Sequence, residues 1–110
     1  MAKAMMVVWS SPVSPDREAE FNEWYDTVHA RDVLDHVEGV TACTRYKVSP
    51  TQFAEQELPG SYVAYYEVDT DDLSQIPVRF GEAFMAGKLP MSDVIVPGPI
   101  VLLDEVSRIS

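Results

Sequence analysis

One stretch constrains the fold more than any other: FNEWYDTVHARDVLDHVEGV, residues 21–40, an amphipathic helix running into a strand. At about 100° per residue, Phe21, Trp24, Tyr25, Val28 and Asp32 fall within one arc of roughly 100°, the width of a core-facing stripe, with His29 at its edge. An aspartate is almost never fully buried without a partner, so Asp32 in an apolar stripe requires one of two things. Either the helix stops before Asp32, or the stripe faces a polar pocket.

The rest of the chain supplies what such a helix packs on. Met5–Ser10 is a β-branched and aromatic run, stopped by Ser11 and Pro12, and reads as a first strand with Met5, Val7 and Trp9 on one face. Ser14, Pro15, Asp16 and Glu18 form a helix start, so the first helix is expected from about Pro15 to Asp35 or His36. Val40–Val48 reads as a second strand, and its alternation leaves open whether Arg45 or Tyr46 looks inward. Residues 49–60 are a polar connection expected to act as a flap, and Tyr62–Val68 is a third strand rich in aromatics. Thr70, Asp71 and Asp72 open a second helix with Ile76, Phe80 and Phe84 on one face, kinked or restarted at Pro77. Residues 89–99, with three prolines and a glycine, read as loop, and Ile100–Val106 as the fourth strand.

The order strand, helix, strand, strand, helix, strand is the split βαβ arrangement, an α+β ferredoxin-like domain whose four-stranded antiparallel sheet carries both helices on one face. At 110 residues it is one domain, spanning 1–110. Every strand is densely apolar and nothing remains to cover the second face, so a homodimer packed sheet to sheet is expected.

Eighteen acidic residues against eight basic ones, a formal net charge of −10, argue against nucleic-acid and membrane-surface partners. The start lacks a secretory apolar region, no run approaches the length of a membrane span, and one cysteine, Cys43, excludes an intrachain disulfide. A cytoplasmic protein is expected.

The stretch 21–40, followed by TRY at 44–46 and YYEV at 65–68, resembles the dimeric α+β barrel superfamily and in particular its EthD-like group. The likeness covers nearly the whole chain at the level of element order. In the EthD-like pattern an aromatic pair precedes a histidine, a proline and a glycine before the second strand; here these are Trp24 and Tyr25, His29 and Gly39, with Arg31 standing where proline is usual. The missing proline favours a continuous helix through Asp32. The resemblance implies a dimeric α+β barrel, but the superfamily hosts monooxygenases, polyketide cyclases, lactone isomerases and decarboxylases, so it names no single reaction.

Tyr25, His29 and Asp32 lie four and three apart, which stacks them on one side of a helix. A histidine between a phenol and a carboxylate makes a general acid/base: the carboxylate orients the ring, and the phenol holds a carbonyl or enolate oxygen. The alternative is His29 in solvent at the stripe edge, with Asp32 paired to Arg31, Arg45 or Lys47. Arg45 is the candidate for binding an anion or pairing Asp32. Trp9, Trp24 and Tyr66 are candidates for lining a pocket for a flat apolar substrate. No zinc spacing, phosphate cradle, dinucleotide fingerprint or nucleophile elbow occurs, so neither metal nor cofactor is expected. The expected function is a cofactor-independent cyclase, isomerase, dehydratase or lyase acting on a small apolar, aromatic or polyketide-like molecule. A cofactorless monooxygenase is one variant, and a non-catalytic ligand-binding or accessory protein is the competing reading.

Overall fold

The computed structural model describes residues 2–110; Met1, where the domain was expected to begin, lies outside them. The elements are β1 (Ala2–Pro12), a 3₁₀ turn (Pro15–Arg17), α1 (Glu18–Trp24), a π turn (Tyr25–His29), α2 (Ala30–His36), β2 (Val40–Lys47), β3 (Tyr62–Thr70), α3 (Gln75–Met85) and β4 (Ile95–Asp104). The strands form one antiparallel sheet in the order β2-β3-β1-β4, the ferredoxin-like order expected from the sequence. No helix among the described residues is long and apolar enough to cross a membrane.

The helix from Glu18 to His36 is continuous, but a π turn interrupts its regular winding, and the Ala30 amide donates to the Tyr25 carbonyl five residues back. That inserted residue corrects the expected stripe. In an unbroken α-helix, side chains spaced by four drift about 40° per step around the axis, and one wide turn takes back most of the accumulated rotation. Phe21, Tyr25, His29, Val33 and Val37, each four apart, therefore all face the core. Val28 is turned out to 39% exposure, Asp32 is only partly buried, and His29 moves from the expected edge into the core at 6% exposure. Neither resolution of the Asp32 oddity was right; the helix continues, and Asp32 is rotated away.

The helices cover one face of the sheet. There Phe21, Tyr25, Val33, Val37 and Ile76 pack on Ala4 and Met6 of β1 and on Tyr62, Ala64, Tyr66 and Val68 of β3. Pairing settles the open question in β2: Cys43 lies opposite Tyr66 and Arg45 opposite Ala64, so both look toward the helices, and Tyr46 looks away. The other face carries Val7, Val63, Tyr46, Tyr65, Val101 and Leu103; no helix among the described residues covers it, Val7 and Val63 are buried between their neighbours, and Arg108 of the C-terminal tail lies beside Tyr46 and Tyr65. Tyr46, Val101 and Leu103 are 54%, 44% and 49% exposed there.

Two boundaries differ from expectation for local reasons. Asp72 does not cap a helix starting at once: its Oδ1 accepts from the Ser74 amide in a turn, α3 starts at Gln75, and Pro77 falls in the first turn, where a missing amide costs nothing. Strand β4 begins five residues early because the register of β1 slips between Val8 and Ser10, leaving an edge that tolerates Pro97 and Pro99. A Cβ at Gly98 would stand 2.7 Å from the Trp9 carbonyl oxygen, so only glycine allows this approach. The connection 49–60 is exposed throughout apart from Gly60 and does not act as a flap over the helix–sheet layer.

Candidate functional site

Between α3, the π turn and the β1/β4 irregularity lies a cavity of about 300 Å³. Its inner wall is Ser10, Tyr25, His29, Tyr66 and Leu89, all buried, and its rim includes Phe84, Met91 and Ile100, all half or nearly half exposed. A ligand thus enters across apolar side chains and meets polar groups only inside.

Those polar groups form a small cluster. The Tyr66 and Tyr25 hydroxyls are 3.2 Å apart and hydrogen-bonded, and Cys43 lies opposite Tyr66 on the neighbouring strand. Burial pushes the Tyr25 phenol up to about 12 and the Tyr66 phenol higher still, and it raises the Cys43 thiol. All three are protonated at neutral pH. One bond between two phenols uses one of their two protons, so the pair retains a donor for a ligand oxygen.

The His29 ring stacks on Trp24 with centroids 4.9 Å apart and meets the Tyr25 ring edge-on at 5.0 Å. Its Nδ1 is buried without a hydrogen-bond partner. Burial is the largest influence on the ring and lowers its pKa; the charge of Asp32 opposes this, and that of Arg45 adds to it. The imidazole is therefore neutral at pH 7 and able to accept a proton.

Of the residues singled out from the sequence, Tyr25, His29, Tyr66 and Trp9 line this one cavity. Trp24 backs His29 without lining it. Asp32 does not line it either, and makes no hydrogen bond to the ring; it acts on His29 through its charge alone. Arg45 is not Asp32's partner: its Nη1 donates to Asp26 at 2.7 Å, its Nη2 to Asn22 at 2.9 Å, and its guanidinium lies 4.3 Å from the Tyr25 ring centroid. The sequence reading missed Leu89, Met91, Ile95 and Ser10 as cavity walls. Phe80 and Phe84 carried a signal in their spacing of four, but the turn after α3 carried none.

Comparison with solved structures shows that the fold is shared with two proteins of low sequence identity. The crystal structure of HapK from Hahella chejuensis superposes with a TM-score of 0.62 at 12% identity, over 97% of this chain and 96% of HapK. An EthD family protein from Bacillus halodurans superposes with a TM-score of 0.53 at 15% identity, over 96% of this chain and 100% of that one. No family model and no curated protein matches the sequence.

Proposed function

We propose that the protein is a cofactor-independent acid/base enzyme for a small, apolar, carbonyl-bearing molecule of aromatic or polyketide-like character. The supporting observation is the convergence of a neutral, buried imidazole and a protonated phenol pair on one otherwise apolar cavity of about 300 Å³. His29 takes a proton from the carbon beside the carbonyl, the electron pair moves onto the carbonyl oxygen, and Tyr25 or Tyr66 donates a hydrogen bond to that oxygen. Return of the proton to another position completes an isomerisation; attack of the enolate on a second carbonyl forms a carbon–carbon bond and an alkoxide, which takes the proton back from His29 to complete a cyclisation. Trp9 forms part of the wall, and Trp24 holds the His29 ring in plane. A second copy of the chain covers the open sheet face, closing the barrel that the exposed Tyr46, Val101 and Leu103 otherwise leave half-built.

One observation favours a second reading, a ligand-binding protein without turnover: the unpartnered Nδ1 leaves the ring without the group that ordinarily fixes its tautomer. Exchange of the α-hydrogens of acetophenone in deuterated water, followed by NMR, separates the two. The enzyme reading expects accelerated exchange that His29→Ala lowers by about 10²- to 10⁴-fold. Binding of the ketone with no accelerated exchange supports the second reading, and exchange within a few-fold of wild type in His29→Ala removes His29 as the base.

A further inference from the structure

On the other side of Tyr25 lies a second cavity, of about 490 Å³, between the helix and β2. Its character is opposite to the first. Arg31, Arg45 and Lys47 line it, three of the eight basic residues in a chain with eighteen acidic ones, and Asp26 is the one acidic residue in its wall. Leu34, Ala30 and Cys43 supply an apolar part.

The basic groups differ in how they are held. The Arg45 side chain is only 12% exposed and fixed on three sides, with Asp26 on Nη1, Asn22 on Nη2, and the rings of Tyr25, Phe21 and Tyr62 within 4.3–5.4 Å of its guanidinium carbon. Lys47 pairs with Glu18 at 2.8 Å. Arg31 makes no ion pair among the described residues. Asp26, by contrast, has a side chain 63% exposed, so a carboxylate from solvent already stands on a rigid, nearly buried guanidinium.

We infer that this cavity binds a small organic carboxylate, which displaces Asp26 from Arg45, pairs also with Arg31, and lays its apolar body against Leu34 and Ala30. A guanidinium fork matches a carboxylate in two parallel bonds, and a pre-held fork loses little freedom on binding. Exchange of one carboxylate for another keeps the Arg45 charge compensated, so the ligand need not overcome the cost of uncovering it. Arg45 of the second cavity stacks on Tyr25 of the first, so filling the second changes what lies behind the first.

The test is calorimetry and NMR with benzoate as the probe and benzamide as its neutral twin. The expected result is one benzoate per chain, weakened by salt, weakened about tenfold by Arg31→Ala, and strengthened by Asp26→Asn, which removes the competing charge. Amide shifts should cluster on residues 26–34 and 43–47, and benzamide should not produce them. Equal binding of both probes places the ligand in the apolar cavity and overturns the inference. So does benzoate binding indifferent to Arg31→Ala, weakening by Asp26→Asn, or no binding up to about 10 mM, weaker than roughly 3 kcal/mol. None of these readouts requires turnover, so the inference can fail while the acid/base reading stands, and the reverse.

Discussion

Replacing Tyr25 with phenylalanine removes one oxygen from a ring that is 1% exposed and leaves its packing unchanged. The lost bond is weak by geometry: 3.2 Å is long for a hydroxyl pair, whose usual separation is about 2.7–2.8 Å, so its net worth sits near the low end of about 0.5–1.5 kcal/mol. The larger effect falls on Tyr66, whose hydroxyl is left without its hydrogen-bond partner in a site that is also 1% exposed. An orphaned buried hydroxyl costs about 1–3 kcal/mol, which sets the range for Tyr25→Phe and implies a fall in Tm of several degrees. Tyr66→Phe should cost about as much. The double variant should cost less than the sum by about 1 kcal/mol, because with both oxygens gone nothing polar is left unpaired. Urea unfolding of the four proteins at one fixed concentration measures this. Additivity within about 0.3 kcal/mol would show that the two hydroxyls do not act as a unit and would refute the reasoning.

Two further outcomes follow from burial. Because burial lowers the folded pKa of His29 below its ordinary 6.5, an unfolded chain takes up a proton that the folded chain refuses. Stability attributable to His29 is therefore complete above about pH 6.5, falls as pH drops from there toward the folded pKa, and levels off below it. Subtracting the profile of His29→Phe isolates this slope; identical profiles would show that the ring titrates alike in both states. On the open face of the sheet, the proposed pairing expects the wild type to sediment as a dimer at micromolar concentration and Val101→Glu as a folded monomer. A wild type that already sediments as a monomer would remove the barrel.

Element order was legible because β1 and β3 are runs of β-branched and aromatic residues and Ser14-Pro15-Asp16 marks a helix start. Trp9, Tyr25, His29 and Tyr66 could be singled out from the sequence and line the one cavity, whereas Trp24, Asp32 and Arg45 do not, and the geometry was not legible. A helical wheel assumes a constant angle per residue, and no residue in YDTVH announces the wider turn that carries His29 inward and Asp32 outward. Pro97, Gly98 and Pro99 argued for a loop because local chemistry cannot show that β1 slips its register at Trp9 to accept them. Cys43 offered no motif, and its role beside Tyr66 depends on a strand register set by a bulge between Val40 and Ala42.

Everything proposed for the apolar cavity depends on whether burial or Asp32 governs His29, and NMR titration of the ring carbons measures that directly. Only one other histidine, His36, is present, and it is exposed at the end of α2, so the two resonances can be assigned with a single His36→Gln variant. The expected result is a His29 pKa below 6.5, falling further when an apolar ketone fills the cavity and excludes water from the ring. A value at or above 6.5 that drops in Asp32→Asn would contradict it. The imidazole would then be held as a cation by Asp32, and the cavity would contain no neutral base.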